Sequence, residues 1–202
     1  MDWPGLLKKM APNAMPTVVD AFRSADAVFE SFSLTSPLVL AHFLAQASHE
    51  TGAFTRLEEN LNYNASRLMA VWPKRFPSLD IAKAHAGKPE RIANKVYGGR
   101  LGNVAPDDGW RYRGQGLLHP TGRANYARLG RLSQLPLEQQ PELVRAARYM
   151  LPIALHDWNS RKLTPLALAD DLEGITRNIN GGLNGLENRA EWLMDWKGAL
   201  GV

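Results

Sequence analysis

The chain contains no cysteine, which excludes a disulfide scaffold, a thiol nucleophile and any cysteine-ligated zinc or iron–sulfur centre. It also lacks a convincing membrane span. Residues 31–49 (SFSLTSPLVLAHFLAQASH) carry no Asp, Glu, Lys or Arg, but their Ser, Thr, His, Gln and Pro content reads as a buried helix and not as a bilayer segment. The opening MDWPGLLKKMAPNAM has no early basic region followed by a long apolar stretch and a small-residue cleavage site, so it does not read as a secretory signal. Internal repeats and low-complexity tracts are missing. So is a phosphate-binding loop: RGQG at 113–116 lacks a strand before it and a helix after it. The histidines (His42, His49, His85, His119 and His156) show no metal-ligand spacing. His49-Glu50 is not a zinc-protease pair, because alanine stands at position 53 where the second His is needed. No serine lies in a nucleophile-elbow pattern.

What is present is an ordinary globular mixture, 45% hydrophobic and 22% charged over 202 residues, read as one domain spanning 1–202 with residues 1–36 as a helical lead-in. The net charge of +4 is unevenly spread. Residues 74–131 carry twelve Lys/Arg against four Asp/Glu, a local balance of +8. A basic middle suits an anionic partner (nucleic acid, an anionic lipid face or an acidic wall polymer), and equally a solvated surface. Trp72, Phe76, Tyr97, Trp110 and Tyr112 lie among these basic residues. Their rings suit nucleobases, pyranose C–H faces or a core.

Apolar periodicity and helix punctuation predict a mainly α chain, with helices at 16–30, 37–51, 64–71, 80–85, 89–96, 121–130, 141–159, 164–170, 171–179 and 186–199. Within 37–51, Ser36 is the expected cap, Pro37 the first helical residue and Gly52 the residue just past the end. Helix 186–199 is expected to turn Leu186, Ala190, Leu193 and Met194 to one side. Strand signals are confined to 61–63 and the stretch around 117–119. The Gly- and Pro-punctuated segment 97–116 reads as irregular.

The most informative stretch is 49–63, HETGAFTRLEENLNY. Glu50 falls near the C-terminal end of an apolar helix, where the negative end of the dipole and partial burial both disfavour a carboxylate. Glu58 and Glu59 follow across a glycine break, so the chain can turn a second carboxylate toward the first. An acid kept protonated opposite an ionised carboxylate is the pair that glycosidic cleavage requires. Surface charges on a helix end and a loop are the alternative.

These residues resemble glycoside hydrolase family 19, of chitinase and lysozyme-like fold, and more narrowly its short bacterial and phage endolysins. The likeness runs from about residue 37 to 197 through AQASHETGAFTRLEENLNY, RLMAVWPKRF, ANKVYGGRLGN, GWRYRGQGLLHPTGRANY and INGGLNGLENR, in that order. It implies a mainly α, two-lobed helical domain with a substrate cleft and at most a small β element. It implies Glu50 as general acid, Glu59 as general base, and Thr121 as the residue that holds the attacking water. Asn180 is implied to contact sugar and Arg189 to lie near the acid, with Tyr63, Arg67, Trp72, Tyr97 and Asn125 lining the groove. His119-Pro120 replaces the family's usual Gln-Leu, so His119 stands where a groove donor is expected. Asn184 replaces an acid common in plant members.

The reaction implied is single-displacement hydrolysis with inversion, with no metal or organic cofactor. The expected substrate is the peptidoglycan glycan strand, with chitin as the alternative. A non-catalytic wall-binding protein on the same fold is the reading from another class. Nucleic acid and stable membrane insertion are not expected. A monomer is expected, cytoplasmic until release to the wall or periplasm, as through a holin-type pore.

Overall fold

In the computed structural model, which describes residues 1–202, the helix expected over 37–51 forms as α4 (Pro37–Thr51). Pro37 takes the first turn, where its missing N–H leaves no bond unmade, and Gly52 closes the helix at φ 56°, a left-handed conformation that costs glycine little. Ser36 occupies the cap position, but its side chain makes no capping bond. The helix is buried on all sides from Val39 to Ser48, polar His42 and Gln46 included.

The chain divides into two compact units. One comprises Met1–Leu57, Gly116–Leu118 and Glu142–Val202; the other comprises Glu58–Gln115 and His119–Pro141.

The first unit is built around α4. Before it come α1 (Trp3–Met10), α2 (Pro16–Ala21) and α3 (Ala25–Ser31). The single helix expected at 16–30 is therefore broken. Ser24 lies outside the helical basin at φ −109°, ψ 20°, and residues Phe22–Ser24 tighten into a 3₁₀ turn. After the second unit the chain returns as α10 (Ala147–Ser160), α11 (Thr164–Leu168), α12 (Leu172–Asn180) and α13 (Leu186–Leu200). The helix expected from 141 starts late, because Ala146 is extended at ψ 132° and Pro141–Arg145 form a 3₁₀ turn. Phe43, Leu44, Trp158 and Trp196 are fully buried in one shared core, each contributing about 1.5–3 kcal/mol of apolar transfer free energy. α13 packs along α4 through Arg189, Leu193 and Trp196. Met194, expected on the buried side, is 73% exposed. Buried His42 is held by Asp170 at 2.8 Å, and Lys197 bonds both Asp170 oxygens. Burial pushes the His42 imidazole below its ordinary range despite the Asp170 bond.

The second unit is smaller and looser in helix content. α5 (Ala65–Val71), α6 (Leu79–His85) and α7 (Pro89–Tyr97) surround a core of Leu61, Leu68, Phe76, Ala82, Ile92, Ala93 and Val96. Short α8 (Asp108–Arg111) interrupts the irregular segment, and α9 (Arg123–Ser133) follows. α9 begins two residues later than expected, since the turn before it places His119 at φ 46° and Gly122 at φ 91°. Thr121 therefore sits in the loop. Asp108, fully buried, ties these loops together. It accepts from Val104 N (2.8 Å), Ala105 N (3.0 Å), Arg123 Nε (3.0 Å) and Arg123 Nη2 (2.7 Å). The Arg123 bonds and the two backbone donors hold its carboxyl at about 2, well below the usual range.

Neither expected strand forms. The β structure is a single antiparallel bridge between Glu58 and Gln115. Leu61 belongs to the second unit's core and Leu117 and Leu118 to the first unit's, so these short apolar runs anchor loops and make no ladder. No helix is long and apolar enough to cross a membrane.

Candidate active site

In the first unit, Glu50 is the penultimate residue of α4. Its side chain is 17% exposed and accepts from Arg189 Nη2 at 2.6 Å. Arg189 reaches it from the first turns of α13 and is itself almost wholly buried. Its other terminal nitrogen, Nη1, donates to Gln46 Oε1, one turn before Glu50 on α4. Glu50 thus feels the negative helix end and partial burial on one side and a buried guanidinium on the other. Asn180 is the exposed last residue of α12. Neighbouring His49 hydrogen-bonds Asn188 at 2.8 Å through Nδ1.

In the second unit, Glu59 leaves the Glu58–Gln115 bridge with its own backbone N–H bonded to Gly114 O at 3.0 Å. Its two carboxylate oxygens accept different donors: Tyr97 Oη gives a hydrogen bond of 2.6 Å to Oε2, and Gly114 N one of 2.7 Å to Oε1. Burial, then the adjacent Glu59 charge, push the Tyr97 phenol far above its ordinary range. Tyr97 consequently stays a donor at any working pH. It is anchored in turn by Asn103, buried, whose Nδ2 donates to Tyr97 O at 3.0 Å and whose Oδ1 accepts Arg123 N at 2.8 Å.

Gly114 is where these residues converge. A Cβ there would lie 3.2 Å from Thr121 Oγ1, 3.2 Å from His119 Cβ and 3.5 Å from Glu59 Cδ. Glycine therefore lets Glu59, Thr121 and His119 gather on one backbone position. The Thr121 hydroxyl donates to His119 O at 3.0 Å, which leaves its oxygen lone pairs to accept a hydrogen bond from water. Asn125 does not reach outward as a free amide. Its Nδ2 donates to Thr121 O at 2.8 Å and its Oδ1 accepts from Arg128, so it braces the Thr121 turn.

Glu58 is held differently from its neighbour. It forms an ion pair with Arg113, whose guanidinium stacks 3.8 Å above the Trp110 ring. Tyr63 and Trp72 meet edge to face at 5.0 Å and lean on the unit's core while remaining partly exposed. Arg67 is exposed on α5.

The structure thus groups Glu59, Tyr97, His119, Thr121 and Asn125 in one unit and Glu50 with Arg189 in the other. Three contributors escaped the sequence reading: Gln46, Gly114 and Arg113. Gln46 carries a signal, as a polar residue one helical turn before Glu50 on the same helix.

No protein-family model matches the chain. A curated relative does: over 185 residues, 91% of this chain and 89% of the relative, it is 39% identical to a glycosyl hydrolase family 19 domain-containing protein of Haemophilus influenzae. The chain belongs to glycosyl hydrolase family 19. It is an enzyme that hydrolyses O-glycosyl bonds, which sets aside the non-catalytic wall binder. Among solved structures, a bacterial family 19 chitinase matches with a TM-score of 0.66 at 18% identity, covering 100% of this chain and 95% of that one. Chitinase C from Streptomyces griseus HUT6037 matches at 0.64 and 20% identity, covering 100% and 77%. A class IV family 19 chitinase from Zea mays matches at 0.60 and 20% identity, covering 98% and 90%. At these identities the likeness is one of fold, and it agrees with the mainly α, lysozyme-like reading of this family 19 chain.

Proposed function

We propose that this family 19 enzyme cleaves β-1,4 bonds in the glycan strand of peptidoglycan by single displacement with inversion. Glu50 protonates the departing glycosidic oxygen. Glu59 takes a proton from water, which attacks the anomeric carbon from the opposite face, and Thr121 accepts a hydrogen bond from that water. The observation that carries the assignment is the contrast between the two carboxyls: Glu50 bonded by a buried guanidinium, Glu59 by a phenol and a backbone N–H. Glu58, committed to Arg113, is the weaker candidate for the base. Inversion requires the two carboxyl groups to stand roughly 6.5–9.5 Å apart in the working enzyme to admit the water. It also requires the first product to be the α-anomer. Tyr63 and Trp72 offer ring faces to pyranose C–H surfaces, while Arg67, Asn180 and His119 offer polar contacts.

Peptidoglycan is favoured by charge. The second unit carries thirteen Lys/Arg against seven Asp/Glu, a balance of +6 that suits a polymer bearing carboxylates on its peptide stems. Chitin is the second reading, favoured by the chitinases named among the structures of similar fold. Digestion of purified peptidoglycan and of chitin oligomers, with mass analysis of new reducing ends, separates them. Muramic or glucosamine ends released from peptidoglycan support the proposal, and release from chitin alone overturns the substrate.

A further inference from the structure

The buried guanidinium of Arg189 presents five N–H donors, and the acceptors it meets lie one turn apart on α4. Nη2 bonds Glu50 Oε1 at 2.6 Å, and Nη1 bonds Gln46 Oε1. Gln46 has no exposed surface, and Arg189 has 1%. Arg189 Nε and Gln46 Nε2 have no hydrogen-bond partner. A carboxamide at a helix position with no exposed surface is costly, all the more with its own N–H₂ unpaired. Core packing alone is served better by Met or Leu of similar volume.

We infer that Gln46 is a positioning residue for the general acid, the neutral second anchor that aims the Arg189 guanidinium at Glu50. The inference rests on the assignment of Glu50 as that acid. A planar fork held at one nitrogen can pivot; held at both, it fixes the line along which it meets the carboxyl. A neutral acceptor supplies that hold without drawing positive charge away from Glu50. A carboxylate at 46 would compete for the guanidinium and place a second anion beside the acid.

Two near-isosteric variants and one spectroscopic observation test this. Gln46→Met removes the acceptor at constant length. We expect kcat on solubilised peptidoglycan or glycol chitin to fall about ten- to a hundredfold, as misplacement of a reacting group does, with KM nearly unchanged. Gln46→Glu adds the competing charge. The alkaline limb of its kcat/KM profile is expected to move to higher pH by about one unit, the direction a nearby like charge imposes on a carboxylic acid. A residue that only fills the core would alter melting temperature and leave both the kcat/KM split and the pH limbs in place. If both variants retain wild-type kcat and superimposable pH profiles, Gln46 is a packing residue and the inference is overturned. The wild-type protein supplies the check that needs no core substitution. Arg189 Nη protons held by two acceptors should give separate, slowly exchanging ¹⁵N-correlated signals; averaged signals contradict the anchor. Glu50→Gln is run alongside. If it keeps full activity, the acid assignment itself fails. If it is inactive while the Gln46 variants behave as wild type, only the role of Gln46 fails.

Discussion

The two units hold their carboxylates by different means. In the first, Glu50 ends a helix buried on all sides, and its partner is a charged group sealed between α4 and α13. In the second, Glu59 lies on a loop in a unit whose core cluster holds seven buried apolar side chains, and a phenol and a backbone amide donate to its two oxygens. The units also differ in charge, with eleven Lys/Arg against thirteen Asp/Glu in the first and thirteen against seven in the second. The lesson is that two chemically identical side chains receive distinct electrostatic settings from distinct kinds of structure. Tight helix packing confines a cation beside one; a polar loop network, tied by Asp108 and Asn103, presents neutral donors to the other.

The most severe way to break this contrast is Arg189→Met. It removes the buried cation and leaves Gln46 and Glu50 facing an apolar side chain. Loss of one partner from a buried pair costs about 3–5 kcal/mol. A large fall in denaturation midpoint and in hydrolysis rate is expected, measured by urea unfolding and glycan release. Asp108→Asn attacks the scaffold of the other unit. The folded-state value of about 2 lies below the ordinary 3.8, so the carboxylate's stabilisation is complete above the unfolded value and is lost as pH falls from about 4 through about 2. The linkage amounts to about 2 kcal/mol near neutrality. Unfolding curves of wild type and variant should differ at pH 7 and converge near pH 2. Tyr97→Phe sharpens the comparison most finely. The ring and its packing remain and only the donor to Glu59 goes. Losing a hydrogen bond to the charged form moves a carboxylate's titration upward. The acidic limb of the kcat/KM profile should therefore shift to higher pH, with stability reduced by only about 1 kcal/mol.

Much of the first unit was legible because local and tertiary signals agree there. Pro37 and Gly52 bracket α4, and both ends fall where those residues place them. In the second unit the helix expected at 64–71 forms as α5, with Asn64 Oδ1 at its cap accepting Arg67 N at 2.8 Å. Legibility fails where backbone conformation is set by contacts distant in sequence. Nothing local announces the extended Ala146 or the turn at Ser24 that divide two expected helices. The stripe read on α13 included Met194 and omitted Arg189, since a period drawn through apolar residues cannot anticipate a buried cation whose acceptors lie on another helix. The site shows the same division. Glu50 and Glu59 stood out by motif. The donors that hold Glu59, Tyr97 Oη and Gly114 N, come from thirty-eight and fifty-five residues further along the chain. The family resemblance implies a groove position for Tyr97, and no sequence signal marks Gly114.

Hydrolysis turns on the carboxyl at position 50 as the group that delivers the proton to the leaving oxygen. Glu50→Gln keeps the shape and a hydrogen-bonding group but has no acid to give. Hydrolysis of peptidoglycan and chitin oligomers by this variant, measured beside its melting temperature, is the direct test. A loss of about 10²–10⁴ in kcat with the fold intact is expected. A folded variant that cleaves either polymer at the wild-type rate would contradict it.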